Sequence, residues 1–374
     1  MNNSWLELAY YHAERSKGIT GKNPPVGCVI INKDIIVGVG STSKNGRPHA
    51  EENALTMAGK KSNGGTLYVT LEPCHIKGNE NSCTNQIIKA GIKRVVIGML
   101  DPNKKTFKRG FKQLIKEGIE IEVVSLSFEH FLFYYSHYCF HVIKRPNIAL
   151  KLATSADNKI TYSDGTSKWI TSILARKHVH QIRSLYNTVL VGSKTFKKDN
   201  PVLNARILGF KTKTVRVILD TKLSISKTSK LVNTSSRFPL IIFTAEKNSK
   251  KRKYLENKGI LIISVNKEKN GILNLKEVVN QIYLHGINNI LVEGGSKVAS
   301  TFLNQDYTDI IYIYKSSNFI GKEGLDSMGS LKLNKNFSLY NEIDLEDNRI
   351  EVWINKNINK EYRKLKCLQE LPPI

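Results

Sequence analysis

The sequence contains no long apolar run and few cysteines. Nothing among its 374 residues approaches the ~20 consecutive apolar residues that a membrane-spanning helix requires. The first residues, Met1-Asn2-Asn3-Ser4, lack the charged and then apolar pattern of a signal peptide. Five cysteines are an odd number, which does not suggest a disulfide framework and fits a reducing compartment. We therefore expect a cytoplasmic protein that does not enter a membrane.

Acidic residues are also scarce, so the chain is strongly basic. Its 57 lysines and arginines outnumber its 32 aspartates and glutamates, which gives a formal net charge of +25. A charge of this size can indicate a nucleic-acid partner. The lysines, however, are spread through the whole chain instead of forming one basic segment, and such a surface also suits phosphorylated small molecules. We therefore expect no nucleic-acid partner.

The Gly-x-Gly-x-x-Gly fingerprint of a Rossmann dinucleotide site is missing as well. Gly38-Val39-Gly40 is an isolated Gly-x-Gly that no helical pattern follows. What the chain does contain is an alternation of apolar strand patterns with helical patterns, over a length that suits two domains. We predict an α/β protein whose boundary falls at Lys144-Arg145-Pro146, with domains at 1–144 and 145–374.

The predicted elements alternate in both halves. The first half has a helix from the Ser4 capping box to Gly18, a hairpin of strands 24–31 and 35–40, helix 50–58, strand 66–71, helix 84–90, strand 94–99, a helix near 110–117 and strand 119–124. The second half has strands 147–153, 188–191, 215–219, 240–244, 261–265, 289–292 and 310–314, with helices 173–185, 275–284 and 297–304. For the first half this order predicts a three-layer domain with a mainly parallel sheet.

The segment 128–142, just before the predicted boundary, is rich in aromatic residues. His137 and His141 are four residues apart and would share one face of a helix, with Cys139 between them. The pair could bind a metal ion, but no carboxylate or strand-end ligand accompanies it. We therefore favour an aromatic helix that packs the two domains together.

The strongest chemical signal is the run from His49 to Cys83. His49-Ala50-Glu51 opens a predicted helix, Glu72-Pro73-Cys74 follows a predicted strand, and Cys83 precedes another helix. A His/Cys/Cys set is typical of zinc, and three protein ligands leave the fourth tetrahedral position for a water whose pKa the metal lowers. Glu51 is then suited to move protons between that water and a leaving amine. We predict one zinc ion per chain at His49, Cys74 and Cys83, with Glu51 as the catalytic residue.

A second signal is Val292-Glu293-Gly294-Gly295-Ser296, where a predicted strand ends and a helix begins. Two glycines let the backbone approach a ligand closely, and a helix N-terminus donates N–H groups to phosphate. A plain tight turn would give the same pattern. The residues alone leave both interpretations open.

Several stretches resemble a known family. In the first half they are Asn23-Pro24-Pro25-Val26-Gly27-Cys28, Gly46-Arg47-Pro48-His49-Ala50-Glu51, Tyr68-Val69-Thr70-Leu71-Glu72-Pro73-Cys74 and Asp101-Pro102-Asn103. In the second half they include Leu150-Lys151-Leu152-Ala153, 167–172, 199–206 and Asp220-Thr221. Together they resemble the bifunctional deaminase/reductases of riboflavin biosynthesis over nearly the whole chain.

The resemblance implies a cytidine-deaminase-like N-terminal domain and a dihydrofolate-reductase-like C-terminal domain. It implies zinc-dependent hydrolytic deamination of 2,5-diamino-6-ribosylamino-4(3H)-pyrimidinone 5′-phosphate, and then NADPH-dependent reduction of the ribosyl to a ribityl side chain. The implied NADPH contacts are Ala153, Trp169, Thr195, Asp199, Thr221, Gly295, Ser296, Lys297, Val298, Ala299, Ser300 and Thr301. The implied substrate contacts are Asn23, Ser167, Arg183, Leu203, Arg206 and Glu293. The arginines suit a phosphate group, Lys151 and Asp199 are candidate polar groups near the transferred hydride, and a homo-oligomer is compatible with the sequence.

The chain departs from the family pattern in places. Thr42 stands where the family usually has a histidine, and 75–82 keeps the spacing between the zinc cysteines but lacks an arginine and two prolines. An alternative interpretation is therefore a chain that has lost one of the two activities. Another is a nucleoside or nucleic-acid deaminase with an appended cofactor-binding domain. Such deaminases usually carry Pro-Cys-x-x-Cys, whereas Cys74 and Cys83 are nine positions apart.

Overall fold

The computed structural model describes residues 2–75, 81–161, 171–207, 214–321, 325–326 and 333–370. Contacts within the chain divide it after Lys144 and again after Ile358. The stretches before the first division and after the second form one unit, and the residues between the two divisions form the other. No helix in the described ranges is both long enough and apolar enough to cross a bilayer.

The first unit contains a five-stranded sheet with the strand order β2-β1-β3-β4-β5. Its strands are β1 (Gly27–Asn32), β2 (Ile35–Ser41), β3 (Thr66–Val69), β4 (Arg94–Ile97) and β5 (Glu120–Val123). Its helices are α1 (Asn2–Glu14), α2 (Ala50–Ala58), α3 (Cys83–Lys89), α4 (Arg109–Lys116), α5 (Phe128–Phe133) and α6 (Tyr135–Tyr138), with 3-10 turns at Lys44–Gly46 and Gly59–Ser62 and a π-helical turn at Cys139–Ile143.

Half of the strand pairings in this sheet are antiparallel, so the prediction of a mainly parallel sheet is wrong. β1 runs antiparallel to both β2 and β3, whereas β4 pairs in parallel with β3 and β5. The turn between β1 and β2 is Lys33-Asp34, and both residues are left-handed, with φ of 51° and 60°. Such a two-residue turn folds adjacent strands into a hairpin. The parallel pairs are joined through α3 and α4, because parallel strands need a crossover connection.

The helix α2 lies close against the first sheet because Gly40 has no side chain. A Cβ on Gly40 would lie 2.2 Å from the carbonyl oxygen of Ala50, so a larger residue would push the helix away. Ala54 and Ala58 on the same helix are buried in the apolar core of this unit. This packing fixes the beginning of α2, and with it residues 49–51.

The second unit contains a nine-stranded sheet and a separate two-stranded sheet. The helix α14, given last below, belongs mostly to the first unit. The strands are β6 (Asn147–Thr154), β7 (Lys159–Thr161), β8 (Thr188–Gly192), β9 (Val215–Leu219), β10 (Leu240–Thr244), β11 (Leu261–Ser264), β12 (Asn289–Val292), β13 (Ile310–Ser316), β14 (Leu325–Asp326), β15 (Phe337–Leu345) and β16 (Asn348–Asn355). The helices are α7 (Ile173–Leu185), α8 (Ser193–Asp199), α9 (Lys230–Asn233), α10 (Lys250–Asn257), α11 (Leu275–Leu284), α12 (Ser296–Asn304), α13 (Leu333–Asn336) and α14 (Asn357–Glu370).

The strand order of the large sheet is β11-β10-β9-β8-β12-β6-β13-β16-β15. The seven strands from β11 to β13 pair in parallel, and β16 and β15 add an antiparallel hairpin. All seven strands predicted for this half lie in the parallel part, and the α/β class of both halves is confirmed. The hairpin was not predicted, because most of β15 is exposed and its sequence shows no sustained apolar alternation.

The last helix, α14, belongs to the first unit apart from its first two residues. The carboxylate of Glu361 accepts a hydrogen bond from the Tyr138 hydroxyl at 2.7 Å. The Tyr362 hydroxyl donates to the carbonyl oxygen of Leu126 at 2.9 Å. The predicted second domain, 145–374, is therefore too long at its C-terminal end, because the aromatic segment of the first unit binds this helix.

A buried arginine holds together the loops that follow β8 and β9. Arg216 has no exposed surface. Its guanidinium donates to the carbonyl oxygens of Val202 at 3.3 Å, Leu231 at 3.0 Å and Phe238, and to the Thr234 hydroxyl at 2.7 Å. Burial lowers the pKa of Arg216 to about 10, which leaves it charged at neutral pH. The carbonyl groups of three separate segments thus share one cation.

We expect Arg216→Met to destabilise the second unit by about 2–4 kcal/mol, because three buried carbonyl groups lose their donor. Urea-induced unfolding of the full chain, followed by far-UV circular dichroism, measures this change. Arg237→Met is the matched control, since Arg237 is exposed and its loss should cost less than about 0.5 kcal/mol. Equal unfolding midpoints for the two variants would contradict the structural role of Arg216.

Candidate active sites

The three predicted zinc ligands converge in the first unit. His49 is the N-cap residue of α2, Cys74 follows β3, and Cys83 begins α3. The two sulfur atoms are 3.3 Å apart, and His49 Nδ1 lies 3.2 Å from Cys83 Sγ and 3.6 Å from Cys74 Sγ. Within the described part of the chain, this is the one group of three His, Cys, Asp or Glu side chains placed to hold a metal ion.

The donor set fits zinc. A tetrahedral zinc ion, with bonds of about 2.3 Å to sulfur and about 2.0 Å to nitrogen, places neighbouring donor atoms roughly 3.5–3.8 Å apart. The observed spacings are close to these values. Two thiolates and an imidazole are ligands that zinc prefers, and three protein ligands leave one position open, as in catalytic zinc sites.

Cys74 is prepared to act as a thiolate. Its sulfur lies 3.3 Å from Cys83 Sγ and 3.6 Å from His49 Nδ1, and it accepts a hydrogen bond from the backbone N–H of Cys83 at 3.4 Å. These bonds outweigh burial and lower the pKa of Cys74 to about 4. A thiolate is the form of cysteine that binds a metal ion.

Glu51 lies one residue into α2 and is almost fully buried, with 3% of its surface exposed. Burial raises the pKa of Glu51 to about 7, and the nearby Cys74 adds to this effect. A carboxyl group with a pKa near the working pH can both accept and return a proton. The structure therefore places a carboxyl group suited to proton transfer on the same helix turn as the predicted ligand His49.

Glu72 ties the Cys74 loop to a segment about 30 residues further along the chain. Its buried carboxylate accepts backbone N–H bonds from Lys108 at 3.0 Å and from Phe111 and Asp101 at 3.2 Å. Burial raises the pKa of Glu72 to about 7, although the three N–H groups act in the opposite direction. Because Cys74 is only two residues away, these bonds limit where the metal ligand can lie.

Asp101 connects this network to the aromatic segment. It lies 2.9 Å from His137 Nε2 and accepts a hydrogen bond from the Thr106 hydroxyl at 2.5 Å. Burial alone would raise the pKa of Asp101, but these bonds lower it. The ring of His141 packs against His137 with centroids 4.5 Å apart. Neither histidine belongs to a metal-binding group among the described residues, so their contacts here are those of packing and hydrogen bonding.

The predicted substrate residue Asn23 precedes β1 and is bound to the loop between β2 and His49. Its side-chain amide donates to the carbonyl oxygen of Gly46 at 2.9 Å. Thr42, which replaces the family histidine, accepts a hydrogen bond from the Val26 backbone N–H at 2.9 Å and donates to the Pro24 carbonyl oxygen at 3.2 Å. The threonine therefore stabilises the Asn-Pro-Pro loop. The loop between the zinc cysteines lies outside the described residues at 76–80.

The second unit has a cavity of about 250 Å³ between α7 and the strands β6 and β13. Its lining residues are Lys151, Ala153, Thr171, Arg176, Val179, His180, Arg183, Arg206, Glu293 and Tyr314. Four cationic side chains and one carboxylate face it, which suits an anionic ligand. The predicted contacts Ala153, Arg183, Arg206 and Glu293 are thus brought together with the candidate polar group Lys151.

A buried ion pair lies at the centre of this cavity. Arg183 Nε donates to Glu293 Oε1 at 2.5 Å and Nη2 donates to Oε2 at 2.8 Å, while Lys151 Nζ lies 3.9 Å from Oε2. Burial alone would raise the pKa of Glu293, but the charges of Arg183 and Lys151 lower it to about 2. The sequence indicated that the arginines suit a phosphate group. In the structure, Arg183 makes its bidentate contact with the carboxylate of Glu293.

Other groups lining the cavity differ in charge and exposure. Arg206 is exposed. Partial burial of its side chain lowers the pKa of Arg206, and the nearby charge of Arg183 adds to this effect. His180 accepts the backbone N–H of Arg206 at 3.3 Å. Burial and Arg183 lower the pKa of His180 to about 4, so it is neutral at pH 7. Burial also lowers the pKa of Lys151.

The predicted phosphate turn lies where β12 gives way to α12. A Cβ on Gly294 would lie 2.6 Å from Val298, and a Cβ on Gly192 would lie 2.5 Å from the same side chain. The turns after β8 and β12 are therefore packed side by side around Val298. Thr195 Oγ1 lies 4.0 Å from the position of a Cβ on the second glycine of the turn. This arrangement brings Thr195 next to the predicted segment 295–301.

The other predicted contacts are less closely grouped. Ser167 and Trp169 lie outside the described residues. Leu203 is buried in an apolar cluster and does not line the cavity described above. Asp199 is the last residue of α8. Burial lowers the pKa of Lys151, and the nearby charge of Asp199 acts in the opposite direction. Thr221 follows β9, and its carbonyl oxygen accepts a backbone N–H at 3.1 Å.

Sequence analysis gave no site role to five residues that line the cavity: Thr171, Arg176, Val179, His180 and Tyr314. The three on α7 precede Arg183 by seven, four and three positions, which is the spacing of one helix face. Starting from Arg183, that periodicity could have found them. Tyr314 gives no such signal, because β13 is largely buried on both faces and its apolar pattern does not mark one face.

Two family descriptions match the chain. Residues 146–358 match the RibD C-terminal domain, and residues 1–99 match the cytidine and deoxycytidylate deaminase zinc-binding region. The chain is 38% identical to riboflavin biosynthesis protein RibD of Aquifex aeolicus, over 88% of this chain and 90% of the relative. It is 32% identical to the RibD of Escherichia coli, over 85% of this chain and 88% of the relative.

Solved structures agree with these matches. The chain is 32% identical to a diaminohydroxyphosphoribosylaminopyrimidine deaminase/5-amino-6-(5-phosphoribosylamino)uracil reductase from Thermotoga maritima, with a TM-score of 0.83 over 94% of this chain and 98% of that one. Acinetobacter baumannii RibD gives a TM-score of 0.84 at 27% identity, with the same coverage. The fold, the converging zinc ligands and the matches over most of the chain lead to one conclusion: this chain belongs to the RibD family, the bifunctional deaminase/reductases of riboflavin biosynthesis.

Proposed function

We propose that this chain deaminates 2,5-diamino-6-ribosylamino-4(3H)-pyrimidinone 5′-phosphate and then reduces the ribosyl group of the product to a ribityl group with NADPH. The observation that carries the proposal is the convergence of His49, Cys74 and Cys83 beside the buried Glu51. The anion-suited cavity and the adjacent Gly-Gly turn of the other unit support the second step. We assign residues 1–144 to the deaminase and 145–358 to the reductase.

In the first step, hydrolysis replaces the C–N bond of a ring amino group by a carbonyl and releases ammonia. His49, Cys74 and Cys83 would hold one zinc ion, which when bound makes a water molecule nucleophilic at neutral pH. Glu51 takes a proton from the attacking water and delivers it to the leaving amine. Its burial supports this role, because a desolvated carboxyl group holds and releases a proton near pH 7.

The pyrimidine would lie against the Asn-Pro-Pro loop. The Asn23 amide is fixed by its bond to Gly46, so its position relative to His49 is set before the ligand binds. Fixed polar groups orient a substrate at a low entropic cost. We assign Asn23 to recognition of the ring, and Thr42 to holding the loop that carries it.

In the second step, a hydride from the nicotinamide and one proton reduce the sugar carbon. We assign the nicotinamide cofactor to Ala153, Trp169, Thr195, Asp199, Thr221 and Gly295–Thr301 by family position. The substrate contacts assigned in the same way are Ser167, Arg183, Leu203, Arg206 and Glu293. The exposed cation Arg206 suits the substrate phosphate, whereas the Arg183–Glu293 pair supports the cavity wall and presents its outer atoms to the ligand.

Replacing Glu51 by Gln should stop the first step alone. We expect ammonia release to fall at least about 100-fold, because a positioned acid–base group contributes about 10²–10⁴-fold. Zinc content should remain one per chain, and reduction of pre-deaminated substrate should continue. Glu52→Gln, which changes the next residue on the same helix, should leave both steps unchanged. Loss of reduction in a folded Glu51→Gln variant would contradict the assignment of two separate sites.

Removing one ligand should release the metal. We expect Cys83→Ser to lower the zinc content, measured by plasma mass spectrometry after dialysis, from about one per chain to well below half, since two protein ligands bind zinc weakly. Cys367→Ser is the control because Cys367 is an exposed cysteine outside the site. Full zinc content in the Cys83 variant would rule out the proposed ligand set.

The Glu293 ion pair should make stability depend on pH in a defined direction. The folded pKa of Glu293 is about 2, below its usual value of 4.5, so the pair stabilises the fold above pH 5 and this stabilisation is lost as the pH falls towards 2. Glu293→Gln should lower the free energy of unfolding at pH 7 by about 3 kcal/mol, since it leaves Arg183 buried without a counter-charge.

This difference between wild type and variant should shrink as the pH falls from 5 to 2, measured by urea unfolding. Glu256→Gln removes an exposed ion pair with Arg252 and should cost less than about 1 kcal/mol at any pH. A difference that grows in acid would show that Glu293 is protonated in the folded protein at neutral pH.

A further inference from the structure

The side chain of Tyr314 lines the cavity of the second unit and takes no part in the ion pairing of Arg183, Lys151 and Glu293. Tyr314 lies on β13, where it pairs with Ala153 of β6, and the register places Tyr312 opposite Lys151. Side chains two residues apart share one face of a strand. Tyr314, Ala153 and Lys151 therefore line the same cavity from neighbouring strands.

The hydroxyl of Tyr314 is held by a histidine on the helix opposite. His178 Nδ1 lies 2.9 Å from it. The ring is almost fully buried and packs with Ala175 of α7 and Ile350 of β16. Since the ring cannot swing away, the hydroxyl has one fixed place at the cavity wall.

The pair is neutral at physiological pH. Burial lowers the pKa of His178, so the imidazole carries one proton and has one donor and one acceptor nitrogen. Burial raises the pKa of Tyr314, with Tyr312 and Glu293 adding to the effect, so the phenol keeps its proton. A phenolic oxygen that makes one hydrogen bond can make another.

The cations that line the cavity suit a phosphate. Lys151, Arg183 and Arg206 are cationic, and the carboxylate of Glu293 is already bound by Arg183. A sugar hydroxyl both donates and accepts hydrogen bonds, and a neutral phenol, alcohol or imidazole can meet it in either role. Tyr314 is such a group, and it stands beside the strand position assigned to the cofactor, Ala153.

We propose that Tyr314 is a substrate-binding residue of the reductase, whose hydroxyl hydrogen-bonds a hydroxyl group of the sugar chain, and that His178 is the positioning residue that sets its direction. This inference rests on the proposed reductase function. It assigns sugar recognition to β13 and α7, separately from the cations that suit the phosphate.

The test compares two tyrosines on the same strand. Tyr314→Phe removes only the hydroxyl of a residue that lines the cavity. Tyr312→Phe removes a hydroxyl that bonds Tyr186 at 3.3 Å and does not line this cavity. With pre-deaminated substrate, Tyr314→Phe should raise KM by about 3- to 10-fold, the loss of one neutral hydrogen bond. The KM for NADPH should stay within about 2-fold, and Tyr312→Phe should change neither value.

His178 supplies a second variant. His178→Leu should raise the substrate KM by less than Tyr314→Phe does. The double variant should have the same substrate KM as Tyr314→Phe alone, because both changes affect the same hydrogen bond to the substrate. Additive effects would overturn the positioning role. An unchanged substrate KM in Tyr314→Phe, or equal losses for substrate and NADPH, would overturn the binding role.

Binding of the ribityl product, measured by calorimetry, separates this inference from the proposed function. Wild-type protein that binds the product but does not reduce the substrate would contradict the proposed reductase. In that case a 3- to 10-fold loss of product affinity in Tyr314→Phe would still support the inference, and an unchanged affinity would overturn it. Wild-type protein that does not bind the product would overturn both.

Discussion

The bonds to the Glu72 carboxylate are the constraint on which the deaminase site depends. One buried side chain accepts the backbone N–H groups of Asp101, Lys108 and Phe111, and it is two residues from Cys74. A metal site needs its donors placed to within a few tenths of an ångström before the ion arrives. The carboxylate provides this for residues 70–75, which lie outside the helices and strands. Asp101 extends the same support to His137 on the aromatic segment.

The reductase site depends on a different balance of charge. The Arg183–Glu293 pair lies in a region from which water is largely excluded, where either partner alone would be costly. Pairing lets the chain keep a carboxylate beside Lys151 and still present a positive surface to a phosphorylated ligand. The neutral Tyr314–His178 pair lies on the same wall. The cavity thus separates groups suited to phosphate from groups suited to hydroxyls.

Much of both sites could be predicted from the sequence, because the signals are local. His49 and Cys83 lie at helix starts and Cys74 follows β3, so periodicity predicts where the three candidate ligands lie along the chain. The Gly-Gly turn was predicted in the same way. The antiparallel pairing of β1 with β3 was not, because periodicity shows where a strand is and not which neighbour it pairs with.

Long-range pairings were also out of reach. Glu72 meets Lys108 and Phe111 36 and 39 residues later, and Arg183 meets Glu293 across 110 residues. Neither spacing leaves a pattern in the sequence. The attachment of α14 to the first unit was missed for the same reason, since it depends on Tyr138 and Leu126 far upstream. Ser167 and Trp169 stay predictions.

The most direct test of the account supplies purified protein with the diaminopyrimidinone ribosylamino phosphate, with and without NADPH, and identifies the products by mass spectrometry. The account predicts the deaminated ribosyl compound alone without NADPH, and its ribityl form when NADPH is present. Unchanged starting material in both reactions, from protein that carries one zinc ion per chain, would contradict the claim that this chain performs both steps.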